Sequence, residues 1–209
     1  MTDDWEYRAV RSVADQNNFD FITDLPRRPK MPERLFIGLF PDEAARQAAD
    51  RICRQIADEE NLVGNMLTID RFHTSLVHIS DRKRVRSKDE FAADRAAKTV
   101  KLPSFEITYS RLGSFPGAPK KDRPLEHPLV LLADEGPVME LHAELGAGLR
   151  KFSYRVPESF RPHLTLSYNQ QFLAARAIEP ITFVVKEFVL VHSRLWLTEY
   201  RILNRWTLH

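Results

Sequence analysis

At 209 residues with 43% hydrophobic side chains, the chain is long enough to bury one large core or two closely packed lobes, and too apolar for wholesale disorder. Its 31 basic and 29 acidic residues leave a net charge of +2, which excludes a dedicated nucleic-acid coat protein but permits a local basic cleft. No apolar run approaches the roughly 18 residues of a membrane span, the start Met1-Thr2-Asp3-Asp4-Trp5-Glu6 lacks the apolar stretch of a secretion signal, and a single cysteine rules out an internal disulfide; cytoplasmic residence is expected.

Residues 1–33 read as an extension or arm, polar and closed by Pro26-Arg27-Arg28-Pro29-Lys30-Met31-Pro32, with a short helix expected over 5–14. The body, 34–209, opens on the apolar strand Arg34-Leu35-Phe36-Ile37-Gly38-Leu39-Phe40. A helix follows, with Asp42 as N-cap and Ala45, Ala48, Ala49, Ile52 and Ile56 as its buried stripe. Cys53 falls on that stripe and is expected to be a buried small hydrophobe. Strands are then predicted over 67–79, 104–109, 128–133, 161–168, 181–191 and 198–208, and helices over 89–100 and from Pro137 onward, the second bearing Val138, Leu141, Leu145 and Leu149. The order strand, helix, strand occurs twice, which predicts an α+β fold of two pseudo-symmetric lobes, mainly antiparallel, around a central cleft with helices outside.

The chemistry concentrates in two strings ninety residues apart, His73-Thr74-Ser75-Leu76 and His163-Leu164-Thr165-Leu166. Side chains at i and i+2 of a strand share a face, so His73 projects with Ser75 and His163 with Thr165. Adjacent strands would then line one pocket with two imidazoles, able to work as acid and base on either side of a phosphate, and two hydroxyls to bind its oxygens. No carboxylate shares these faces, and His78 is expected to alternate onto the opposite one, so neither metal nor cofactor is called for. Phe115, Arg161 and Tyr168 are candidate substrate contacts; the basic stretches 82–86 and 120–123 are candidate RNA contacts. His142, beside an apolar stripe, is expected at a core boundary, and His192 is expected to support the fold.

The paired His-x-Ser/Thr-x strings resemble the two-histidine phosphoesterase superfamily, and within it the 2′-5′ RNA ligase/RNA 2′,3′-cyclic phosphodiesterase family. Supporting strings are the strand Arg34 to Pro41, Phe160-Arg161-Pro162 before the second histidine, Phe188-Val189-Leu190-Val191-His192-Ser193 and Tyr200-Arg201-Ile202-Leu203-Asn204-Arg205-Trp206, so that the resemblance spans about 33–208. It implies a metal-free cleft in which His73 and His163 serve as acid and base. It also implies opening of RNA or nucleotide 2′,3′-cyclic phosphates to 2′-phosphates, with reversible 2′-5′ ligation by the same groups. Departures are Ser75 where threonine is commoner, no glycine soon after the first motif strand, and Ser167-Tyr168-Asn169 where some members carry a phosphate-binding arginine. The expected partners are RNA ends or small cyclic nucleotides, with no membrane and a monomeric state favoured. The alternatives are a non-catalytic RNA- or nucleotide-binding module that keeps the cleft, and a related activity on small cyclic nucleotides or 2′-5′ linked oligonucleotides.

Overall fold

The computed structural model describes residues 29–119, 124–197 and 199–209, so the expected helix over 5–14 and the basic stretch 120–123 lie outside the described residues. In chain order the elements are β1 (Glu33–Leu39), α1 (Glu43–Glu59), β2 (Gly64–Met66), a 3₁₀ turn (Ile69–Arg71), β3 (Thr74–Arg82), α2 (Ser87–Ala97), β4 (Phe105–Ser114), β5 (His127–Ala133), α3 (Pro137–Arg150), β6 (His163–Asn169), β7 (Arg176–Val185), β8 (Glu187–Arg194) and β9 (Glu199–Thr207). The Asp42 carboxylate accepts the Ala45 N–H at 2.8 Å, a cap worth about 1 kcal/mol. Ala45, Ala49, Cys53 and Ile56 are buried as the spacing predicts, and burial pushes the Cys53 thiol up to about 11, which keeps it protonated.

The strands form one antiparallel sheet in the order β7-β4-β5-β6-β3-β1-β8-β9, with β2 added alongside β6. Its halves, β6-β5-β4-β7 and β3-β1-β8-β9, meet at the centre of the sheet, and in each the strand that hydrogen-bonds the motif strand leads into a helix. Thus β1 feeds α1 and β5 feeds α3, which realises the duplicated α+β arrangement. α1 packs on β6 and β7, and α3 on β3, β4 and α2, so each helix reaches across to the other half. The strand expected over 181–191 is interrupted at Lys186. Its first part pairs with β4 and its second with β1 and β9, so one ribbon of chain serves both halves.

Bulges set which side chains face which side. In the β1/β3 ladder Gly38 pairs with Ser75 and Ile37 with Val77, leaving Leu76 extra; Phe36 pairs with His78 and Leu35 with Ser80, leaving Ile79 extra. Each extra residue shifts the two-residue alternation by one. Ser75, His78 and Asp81 therefore share a face with Gly38, Phe36 and Arg34, while Leu35, Ile37, Leu39, Leu76 and Ile79 enter the main core. This corrects the simple alternation that sent His78 to the far side. β6 repeats the device: Val130 pairs with Thr165 and Leu129 with Ser167, Leu166 is extra, and Tyr168 lands on the side of Thr165.

Below β3, Asp89 in the first turn of α2 is fully buried and accepts hydrogen bonds from Ser80, Arg82 and Tyr154. Burial pulls its carboxyl up, but the Arg82, Tyr154 and Ser80 hydrogen bonds outweigh it and hold the group below the usual carboxylate range. Asp89→Ala is expected to destabilise the fold by about 3 kcal/mol, read as a lowered urea midpoint at pH 7. A lowered folded pKa contributes stability above the unfolded value, so the gap between wild type and variant should close as pH falls below about 4.

Candidate active site

β3 and β6 touch at a single antiparallel pair, Thr74 with Leu164, the residues that directly follow the two histidines. Counting outward from that pair sets His73 against Thr165 and Ser75 against His163, so each imidazole faces the other motif's hydroxyl. Thr74 and Leu164 turn into the core, where the buried Thr74 hydroxyl meets the Tyr109 hydroxyl at 2.6 Å. The opposite side is a cleft of about 350 Å³ lined by His73, Ser75, His163, Thr165 and Tyr168 together with Arg34, Phe36, Arg71, His78 and Tyr200.

The two histidines are held in the same way. His73 Nδ1 lies 2.7 Å from the Arg71 carbonyl and His163 Nδ1 lies 2.7 Å from the Arg161 carbonyl. A carbonyl only accepts, so each neutral ring keeps its proton on Nδ1 and presents a bare Nε2. At His73 the Ser75 hydroxyl lies 3.1 Å away and donates to that Nε2. Burial lowers the His73 pKa to about 4, with the Arg71 and His163 charges adding to the effect and the carbonyl bond opposing it. Burial lowers that of His163 as well, opposed by the bond to the Arg161 carbonyl and helped by the Arg161 charge. The rings around His73 supply the apolar wall: Phe36 at 4.9 Å, Phe40 stacked at 5.8 Å and Tyr200 edge-on at 5.3 Å between centroids.

Arg71 and Tyr200 escape a reading based on the two strings alone. The Arg71 guanidinium lies 4.5 Å over the Tyr200 ring and donates to its hydroxyl at 3.1 Å, while its Nε is buried without a protein partner. Among the described residues no carboxylate pairs with Arg71, whereas Arg34 is held bidentate by Asp81 at 2.8 Å on both oxygens. A signal for Arg71 was present: both motifs begin with arginine, Arg71-Phe72-His73 and Arg161-Pro162-His163. The second motif repeats the pattern in space. Arg161 lies 5.3 Å over Phe115, which meets His163 edge-on at 4.8 Å. Arg161 and Phe115 thus back His163 rather than line the cleft, and Arg161 is exposed where Arg71 is half-buried. Tyr200 has no comparable sequence signal, because β9 reaches the cleft only through the sheet.

Among the described residues no group of three His, Cys, Asp or Glu side chains could hold a metal ion, and no helix is long and apolar enough to cross a membrane. Two histidines, two hydroxyls and a guanidinium with no carboxylate partner among the described residues thus surround one hollow, the set of groups expected of a two-histidine phosphoesterase. The family profile agrees. Residues 83–195 match the 2′-5′ RNA ligase superfamily, and the chain belongs to it. That match covers the second histidine and ends before β9; the first histidine lies upstream of it. Membership puts the chain among enzymes of phosphodiester chemistry.

Solved structures share the fold. The protein TT0787 of Thermus thermophilus superposes with a TM-score of 0.64 at 18% identity, covering 84% of this chain and 97% of its own. E. coli LigT in its apo form gives 0.64 at 21%, covering 85% and 98%, and its complex with 3′-AMP gives 0.63 at 22%, covering 85% and 98%. No curated protein matches the chain at a significant level.

The side-chain geometry predicts the titration of the free protein. In ¹⁵N-resolved spectra His73 should stay neutral with its proton on Nδ1 until pH falls to about 4, and His163 should titrate below the ordinary value near 6.5. A lowered histidine pKa means that the unfolded chain binds protons first, so stability should fall as pH drops below about 6.5.

Proposed function

We propose that the protein is a metal-independent phosphodiesterase that opens 2′,3′-cyclic phosphates at RNA ends or on nucleotides, leaving 2′-phosphates. The observation that carries this reading is the convergence of two Nδ1-anchored imidazoles, each with a bare Nε2, on one cleft that also holds two hydroxyls and Arg71. A neutral Nε2 takes a proton from water as the water oxygen attacks phosphorus. The P–O3′ bond breaks, and the other histidine, protonated, gives its proton to O3′. Ser75 and Thr165 donate to the non-bridging oxygens, and Arg71 supplies the cation that the second motif lacks downstream. A 5′-hydroxyl attacking in place of water would yield a 2′-5′ linkage by the same proton transfers.

Both rings lose their charge readily in the empty cleft, yet the reaction needs one imidazolium. An anionic phosphate between them favours the charged form, so substrate itself prepares the acid. The structures of E. coli LigT with 3′-AMP and with phosphate support nucleotide and phosphate as ligands of this fold. The lone, buried Cys53 is in keeping with a cytoplasmic setting.

His73→Ala and His163→Ala should each lower turnover of a 2′,3′-cyclic nucleotide by about 10²–10⁴-fold, measured after treatment with a chelator. Ser75→Ala, Thr165→Ala and Arg71→Ala should cost less, about 10–10³-fold. Near-wild-type rates in both histidine variants would reject the assignment. Binding of a 2′-phosphonucleotide without any product from cyclic substrates would instead mark a non-catalytic nucleotide-binding module. The pH profile provides a separate check. kcat/KM reports the free enzyme, so its alkaline limb should fall below about pH 6.5, and the limb in kcat, which reports the complex, should lie at higher pH.

A further inference from the structure

His142 on α3 touches nothing in the cleft, yet it joins the two motifs from behind. It is 7% exposed, its Nδ1 lies 2.9 Å from the Leu76 carbonyl and its Nε2 lies 3.0 Å from the Pro157 carbonyl. The ring stacks on Phe160 at 4.2 Å with planes 9° apart. Leu76 is the bulged residue of the first motif strand, so its carbonyl falls where the β1/β3 ladder is broken. Pro157 and Phe160 belong to the segment that leads into Arg161-Pro162-His163. His142 therefore ties the first motif's bulge to the approach of the second motif.

The other half carries the reverse connection by a different means. Leu166, the bulged residue of the second motif strand, has its carbonyl bonded at 2.8 Å by the Leu67 N–H. Leu67 extends the β2/β6 ladder and lies on the approach to His73. Each bulge carbonyl is thus linked to the other motif's approach, in one half through backbone and in the other through one imidazole. A buried carbonyl left without a donor is costly, and a bulge relaxing by one residue sends its neighbours to the other face of the sheet. Ser75 and His78 flank the Leu76 bulge closely.

Building on the phosphodiesterase reading, we propose that His142 is a positioning residue for the reaction, holding the Leu76 bulge so that His73 and Ser75 stay in register with His163 and Thr165. The bond to the Leu76 carbonyl carries this role. A neutral ring has one N–H and serves one of the two carbonyls; only the doubly protonated ring serves both. With the N–H given to Leu76, the stack on Phe160 holds the ring against the approach to the second motif.

The test separates the two contacts. An asparagine amide nitrogen takes roughly the place of Nδ1, and a glutamine amide nitrogen roughly that of Nε2. His142→Ala should lower kcat on a 2′,3′-cyclic nucleotide by about 10–100-fold, with KM within about threefold, because small misplacements of reacting groups act on the chemical step. His142→Asn should recover to within about threefold of wild type, and His142→Gln should remain low. The ¹⁵N shifts of the His73 ring should move in the alanine and glutamine variants and return in the asparagine one. Wild-type kcat in a folded alanine variant, equal rescue by glutamine, or an unmoved His73 signal would each overturn the proposal. Should the alanine variant fail to fold, the asparagine–glutamine contrast decides alone. A wild-type protein that turns over no cyclic phosphate would overturn the phosphodiesterase reading instead, and the His73 signal would then decide the role of His142.

Discussion

The single antiparallel pairing of Thr74 with Leu164 is the contact on which the site depends. It is the seam between two four-stranded halves, and it lies one residue from each histidine. Because antiparallel partners run in opposite directions, the pairing crosses the motifs over, placing imidazole against hydroxyl twice. A slip of one residue in either strand would turn that strand's histidine away from the other motif and toward the core. The buried Thr74–Tyr109 contact and the apolar packing of Leu164 hold that register from below.

Both histidines reach their working state by local means. The Nδ1–H of each is spent on the carbonyl two residues upstream, which fixes the tautomer without help from a carboxylate. Aromatic neighbours then do two things at once. Tyr200 and Phe115 wall off water, which lowers the imidazole pKa values, and they stack Arg71 and Arg161 close by without neutralising them. The result is a cleft that sets the Arg71 guanidinium beside two imidazoles shifted toward their neutral form.

The halves are equivalent in plan and different in detail. One places a half-buried arginine at the cleft, the other an exposed one behind its histidine. One follows its hydroxyl with His78, the other with Tyr168; one secures its bulge through His142, the other through backbone. Such asymmetry suits the reaction proposed above, whose two ends differ because water or a hydroxyl would enter on one side and a ribose oxygen leave on the other.

Most of the elements, the Asp42 cap, the α1 and α3 stripes, the buried Cys53 and the pairing of each histidine with its hydroxyl were legible in the chain, because they follow from local spacing and capping chemistry; the short β2 and the break at Lys186 were not. The side on which His78 and Tyr168 emerge was not, because a bulge is set by the register against a neighbouring strand and leaves no mark on the strand's own alternation. His142 read as a boundary residue for a related reason: its burial is made by the Leu76 and Pro157 carbonyls, contributed by segments 66 and 15 residues away. Arg71 stood in plain view as one of two arginines placed two residues before a histidine, but its standing as an unopposed cation arose only when β9 brought Tyr200 beneath it. Sequence alone thus determined which chemical groups the protein carries and which neighbours share a strand face; tertiary structure decided which of them meet, since long-range register and desolvation exist only once the strands have paired.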